Sequence, residues 1–273
     1  MDIIKKVTHY ITNTDLYLVI LALLCSAYGM VLIYSATLNP ATALDGSTRN
    51  LFIQGAAILM GLIAFVIMSL IDLETMSGWW KIFVLINIGL QMLLFTPLGV
   101  EVNGQRAWLD LGPTNLQPGE LGKLIFIFTL AAHISEIKEH INEWRGLLVI
   151  ALHTLIMMGA VVIASGDTGM AIQYFMIALI MLFTAGLSLK WLGVGCGLAV
   201  VSIPILWNFI LDDYQKTRIL VLFDPSIDPE TSRQATYGKI AIGSGQMDGQ
   251  GLTHGTMTQM QLVPENHTDY IFS

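Results

Sequence analysis

Apolar stretches of roughly 20 residues, each long enough for a helix to cross the hydrocarbon layer, alternate with short polar connections along the chain. Seven fall near Leu16–Ala36, Leu51–Ile71, Trp79–Leu98, Gln117–Ile134, Gly146–Ala164, Thr168–Leu187 and Trp191–Leu211. The pattern predicts an all-α fold, a polytopic membrane helix bundle over 15–211. Ahead of it, Ile3, Ile4, Val7, Tyr10 and Ile11 form an apolar stripe opposite Lys5 and Lys6, the spacing of a short interfacial helix over 1–14. Behind it, 212–273 is a polar tail, expected to be a large extracytoplasmic loop. The first apolar run is too long for the core of a secretory signal and is followed by further spans, so it reads as an uncleaved anchor.

Composition agrees: 54% of residues are hydrophobic, 12% are charged and mean hydropathy is +0.66, far from ordinary soluble usage. Basic residues set the orientation. Lys5, Lys6, Lys81, Lys138, Arg145 and Lys190 share one side when the N-terminus is cytoplasmic, against Arg49 and Arg106 in the short outer loops. The net charge of −7 belongs to the aqueous loops and gives no sign of nucleic-acid binding. Cys25 and Cys196 both fall inside spans, so neither a disulfide framework nor a cysteine metal site is expected.

Candidate chemistry is concentrated in three places. Glu120 and Lys123 lie inside the fourth span, where a central charge disfavours insertion by ~2.5–3.5 kcal/mol. Their i, i+3 spacing puts them on one helix face. They read either as a buried ion pair lining a cavity or as a structural clamp between helices. The loop 100–117 places Arg106 and Trp108 before Gln117. Trp79, Trp80, Trp191 and Trp207 at span ends read as an interfacial belt, whereas Trp108 sits in a polar loop, where it could face a lipid or sugar. Third, the tail carries turns at Phe223-Asp224-Pro225 and Asp228-Pro229, the basic residues Arg218, Arg233 and Lys239, and the run Pro264-Glu265-Asn266-His267-Thr268-Asp269. A carboxylate beside an imidazole offers a base, and the basic residues could hold an anionic head group. His267 could equally cap a turn. Asp167, between Gly166 and Thr168, reads as a helix N-cap or as a cavity residue.

These residues resemble a known family, the SEDS proteins of shape, elongation, division and sporulation. The resemblance runs from Tyr34-Ser35-Ala36-Thr37 through Trp108-Leu109-Asp110-Leu111-Gly112-Pro113, Gln117-Pro118 and Glu120 with Lys123. It continues in Arg218 with Leu222-Phe223-Asp224-Pro225, Lys239-Ile240-Ala241-Ile242-Gly243-Ser244-Gly245, Gly249-Gln250-Gly251 and His267-Thr268-Asp269. Gly255-Thr256 with Gln259 favours the elongation branch over the division branch. The resemblance implies a peptidoglycan glycosyltransferase that polymerises lipid II at the outer face of the bacterial plasma membrane and releases polyprenyl pyrophosphate. It implies Asp269 as the catalytic residue, with Arg106, Trp108, Gln117, Arg218, Lys239, Glu265, His267 and Thr268 as substrate-binding residues. It also implies a divalent cation, magnesium or manganese, and a class B penicillin-binding protein as the crosslinking partner. A lipid II flippase or a non-catalytic scaffold of the cell-wall machinery are the competing functions. Gly119 stands where the family usually has serine, and Ser165-Gly166-Asp167 replaces a Pro-Asp pattern. Family members carry about ten spans of ~20 residues, so the C-terminal spans are expected to be missing from this sequence.

Overall fold

The computed structural model describes residues 15–38, 45–102, 105–112, 115–211, 213–263 and 266–272. The helix expected over 1–14 and the candidate Glu265 lie outside them. Each apolar stretch forms a helix: α1 Leu16–Thr37, α2 Asp45–Leu70, then, after the short α3 Leu73–Ser77, α4 Trp80–Met92, α5 Pro118–Glu136, α6 Trp144–Ser165, α7 Thr168–Thr184 and α8 Leu189–Ile205. Among the described residues, Leu16–Thr37, Thr48–Leu70, Trp144–Ser165 and Leu189–Phe209 are long and apolar enough to cross a membrane, while Trp80–Phe95 and Thr168–Thr184 are apolar but shorter. The chain is a mostly helical, multi-pass membrane protein.

Local chemistry sets the helix ends. Asp15 caps α1 by accepting from Leu18 N, and Asp167 caps α7 by accepting from Met170 N at 2.8 Å. Asp167 is thus a cap, and Gly166, at φ 69°, closes α6 in the left-handed conformation that lacks a Cβ penalty. Pro204 removes one amide from the α8 ladder, and Leu206–Ile210 follows as a π-helical turn, with Asn208 Nδ2 donating to the Pro204 carbonyl.

One expectation needs correction: the fold is mostly helical but not purely α, because β1 Gly99–Val102, β2 Gln105–Asp110 and β3 Asn115–Leu116 form a small antiparallel sheet in the order β1-β2-β3. Val102 pairs with Gln105, leaving Asn103-Gly104 between them, the dipeptide favoured in two-residue hairpin connections. Ala107 and Leu109 are buried and turn inward, alternating with exposed Arg106, half-buried Trp108 and exposed Asp110. Within the polar tail lie three further helices, α9 Asp213–Val221, α10 Pro229–Gly245 and α11 Thr256–Gln259.

The chain divides into two compact units, Ser69–Phe209 and Met1–Met68 with Ile210–Ser273. In the first, α4 to α7 pack around Phe126, Leu130, Ile150, Met157 and Tyr174, and a smaller cluster joins Leu94 and Leu109 to Ala164. Helices gain little from apolar contact alone in a bilayer, because lipid tails are equally apolar, so close packing and interhelical hydrogen bonds matter more. In the second unit the tail buries Val221, Ala241 and Val263, and α1 buries Ile33 and Ala36.

Candidate functional site

The head of α5 is built first by its backbone. Gln117 is the N-cap, Pro118 occupies the first turn, and Glu120 places a carboxylate at the positive end of the helix dipole. Three buried side chains grip this turn from neighbouring helices. Asn87 Nδ2 donates to the Gly122 carbonyl at 2.9 Å, Gln91 Nε2 to that of Pro118 at 3.2 Å, and the Tyr174 hydroxyl to that of Gly119 at 3.2 Å. The glycine at 122 is required by proximity, since a Cβ there would meet Asn87, Gln91 and the Tyr174 hydroxyl, while a Cβ at Gly119 would meet the Met170 sulfur, the flexible end of a side chain that would have to shift.

On this turn Lys123 Nζ lies 2.9 Å from both oxygens of Glu120 and donates to Gln173 Oε1 at 2.7 Å. The expected pair forms, but it is not enclosed: the Lys123 side chain is 19% exposed and that of Glu120 55%. Gln173, one turn along α7 from Met170, takes a share of the ammonium that the sequence assigned wholly to Glu120.

Other sequence-selected residues in this unit divide. Arg106 is exposed and donates to the Thr96 carbonyl at 3.0 Å, so part of its guanidinium holds the base of the sheet. Trp108, half-buried, pairs with Val100 in β2. Trp80 is more than a belt residue: it stacks on His133 and His153 with ring centroids 4.3 and 5.4 Å away and donates to Glu136 at 2.9 Å. The two imidazoles meet Nδ1 to Nδ1 at 3.1 Å, and Thr129 lies 3.4 Å from His153. This cluster, like Asn87 and Gln91, went unnoticed in the sequence. Its signal was available, since polar side chains inside apolar spans are expensive unless paired.

In the other unit, Asp269 lies on the turn following Asn266 and is exposed. The surrounding tail is stapled to the end of α1: Thr253 N donates to Ser35 Oγ at 2.9 Å, Gln259 Nε2 to the Ser35 carbonyl at 2.9 Å and Asn266 Nδ2 to the Ala36 carbonyl at 3.2 Å. Tyr270, beside Asp269, covers Gly238, where a Cβ would strike its ring, so the turn rests on α10 one residue from Lys239. Lys239 and Arg218 are exposed on α10 and α9; His267 is half-buried and Thr268 exposed. Asp269 forms none of the ion pairs found among the described residues. Also among the described residues, no three His, Cys, Asp or Glu side chains converge as metal ligands. A carboxylate on an ordered yet accessible turn, with cationic side chains on neighbouring helices, can accept a proton from a hydroxyl and attract a phosphate-bearing ligand.

Residues 15–273 match the cell cycle protein family model of FtsW, RodA and SpoVE. The chain is similar to the peptidoglycan glycosyltransferase MrdB of Escherichia coli K12, at 34% identity over 96% of this chain and 68% of that protein. It is 32% identical to the probable peptidoglycan glycosyltransferase FtsW of Nitrosococcus halophilus, over 95% of this chain and 67% of that one. Among solved structures, it matches a chain from a study of polymerisation and crosslinking by a peptidoglycan synthase complex (TM-score 0.68, 25% identity), covering 86% of this chain and 65% of that one. It also matches the rod shape determining protein RodA of Thermus thermophilus, with a TM-score of 0.54 and 28% identity over 69% of this chain and 60% of that one. The chain thus spans just under two thirds of the length of these solved chains.

Proposed function

The chain belongs to the FtsW, RodA and SpoVE family of cell cycle proteins, and from that membership we propose that it polymerises lipid II into glycan strands at the outer face of the bacterial plasma membrane. The observation that supports this reading most is the tail itself. Three side-chain hydrogen bonds to Ser35 and Ala36, with Tyr270 seated on Gly238, hold Asp269 accessible on an ordered turn.

Attack of a sugar hydroxyl on a glycosyl pyrophosphate requires a base for the hydroxyl proton and compensation for charge on the departing diphosphate. Asp269 accepts the proton. Arg218 and Lys239 offer the compensation, with Arg106 as a further cationic candidate, its guanidinium partly committed to Thr96. His267 and Thr268 immediately precede the base in the chain and, with Trp108 and Gln117, belong to the substrate-binding set. A magnesium or manganese ion carried in on the diphosphate would neutralise charge there, with phosphate oxygens as its main ligands.

In this reading the N-terminus is cytoplasmic, seven spans cross the membrane and the tail 212–273 is extracytoplasmic. The broadly exposed apolar faces of α1, α2 and α8 leave room for lipid and for a class B penicillin-binding protein. Incubation of the purified protein with labelled lipid II tests the proposal: glycan ladders support it, whereas transbilayer movement of lipid II without ladders would indicate a flippase and neither activity a scaffold.

A further inference from the structure

A pocket of about 430 Å³ opens where α3, α4 and α5 meet, at the end of α4 and α5 opposite the sheet. Trp80 and Lys81 begin α4, Ala132, Ser135 and Glu136 lie in the last turns of α5, and Ser77 ends α3. The volume falls within the ~300–1,000 Å³ usual for small-molecule sites.

Its charges are opposite and unpaired. Lys81 and Glu136 both line the pocket, yet neither belongs to any ion pair among the described residues. Trp80 keeps them apart. Its Nε1 donates to Glu136 Oε2 at 2.9 Å, while the Lys81 ammonium lies over the indole, 5.4 Å from the ring centroid. The indole is itself fixed by stacking on the buried rings of His133 and His153. A carboxylate and an ammonium held on either side of one ring sum to zero charge, so the pocket has no net attraction for an anion. It complements a ligand that carries both signs. The hydroxyls add to this. Ser77 Oγ donates its proton to the Glu74 carbonyl at 2.7 Å and is left as an acceptor, whereas Ser135 makes no hydrogen bond to another described residue and retains a donor. Glu136 Oε1 and Ser77 Oγ are thus acceptors for an ammonium, and Lys81 and Ser135 are donors for a phosphate.

The position selects a lipid. Trp80 stands at a span end, the headgroup level of interfacial tryptophans. One turn deeper, Phe83 of α4 and Phe128 of α5 meet edge to face at 5.4 Å, and Leu85 and Leu124 are exposed, which sets a surface for acyl chains beneath the polar pocket. We propose that this pocket binds the headgroup of a phosphoethanolamine lipid, with the phosphate on Lys81 and Ser135 and the primary ammonium on Glu136 and Ser77. A phosphoglycerol headgroup brings a phosphate without a cation, and Glu136 repels it. A choline headgroup brings a cation without an N–H, and leaves both acceptors unmet. In the orientation proposed above the lipid belongs to the inner leaflet. The site is independent of the polymerase reading, so absence of glycan ladders leaves it standing.

Native mass spectrometry of the whole protein reads lipid retention directly, with dioctanoyl phosphatidylethanolamine, phosphatidylglycerol and phosphatidylcholine at equal concentrations and phosphoethanolamine as the headgroup alone. Wild-type protein is expected to retain the ethanolamine lipid about fivefold or more over either other lipid, the factor that a hydrogen bond to a charged group supplies. Free phosphoethanolamine is expected not to displace it. Glu136→Gln keeps an acceptor for Trp80 and should bring the preference over phosphatidylglycerol to within about twofold, while Lys81→Gln should lower ethanolamine-lipid retention about fivefold. Ala132→Phe fills the pocket without touching either charge and should lower retention likewise. Equal retention of the three lipids by wild-type protein overturns the proposal, as does a preference that survives all three variants. Displacement by phosphoethanolamine overturns the lipid assignment in favour of a soluble ligand. A photoreactive ethanolamine lipid on the wild-type protein needs no variant: crosslinks are expected within 77–85 or 124–136, and crosslinks confined elsewhere reject the site.

Discussion

Replacing Gly122 by alanine adds one methyl group where the structure has no room for it. The new Cβ would lie 2.6 Å from Asn87 Oδ1 and 2.6 Å from Gln91 Nε2, and against the Tyr174 hydroxyl. All three side chains are buried, at 0%, 1% and 0% exposure, and so cannot swing into solvent. Making way breaks the bonds to Gly122, Pro118 and Gly119, each worth ~0.6–2 kcal/mol between membrane helices. Overpacking adds ~1–3 kcal/mol, and alanine returns ~1 kcal/mol of helix propensity. The net expectation is a destabilisation of about 2–8 kcal/mol. Gly159→Ala is the matched control, since it also lies inside an apolar helix and nothing stands within 4 Å of its Cβ position. Equilibrium unfolding in mixed micelles should show Gly122→Ala strongly destabilised and Gly159→Ala unchanged or slightly stabilised. Equal stability of the two variants would refute the packing argument for the head of α5.

Lys123→Met removes the donor shared by Glu120 and Gln173; because Glu120 is half exposed, the loss should be about 1–3 kcal/mol and not the larger figure for a fully buried pair, and Glu120→Gln in the same background should recover part of it in the same unfolding assay. His140, 2.9 Å from Glu143, has its pKa raised by that hydrogen bond and by the carboxylate charge. Its contribution to stability is therefore full below the unfolded imidazole pKa and is lost as pH rises through the folded one. In Glu143→Gln, the His140 titration midpoint followed by NMR should fall. Asn266→Ala deletes the bonds to Ala36 and Thr258; limited proteolysis should then cut 246–272 several-fold faster, with α4 to α7 unaffected.

Most of the fold was legible because a spanning helix declares itself locally. The run expected from Leu16 ends one residue before α1 does, and Asp167 before Thr168 is a cap recognisable from four residues. What escaped was non-local or masked by stronger signals. Val102-Asn103-Gly104-Gln105 carries a hairpin signal, but short alternating runs beside long apolar ones were read as loop. Burial of Glu120 could not be read from its own helix, because exposure depends on which neighbour covers the face, and Gln173 and Met170 are about 50 residues away. The partnership of Asn87 and Gln91 with the α5 carbonyls is likewise tertiary. The tail's staples to Ser35 and Ala36 join positions more than 200 residues apart, and of the tail residues that make them only Gln259 was picked out by family resemblance.

Asp269→Asn tests the central claim most directly, because it preserves the size of the side chain and its place beside Tyr270 while removing the base. With labelled lipid II and protein shown to be monodisperse, the variant should lose glycan ladders by at least 10²-fold, the lower end of what a positioned base contributes. Ladders formed by the variant at the wild-type rate would remove Asp269 from the chemistry and contradict the account.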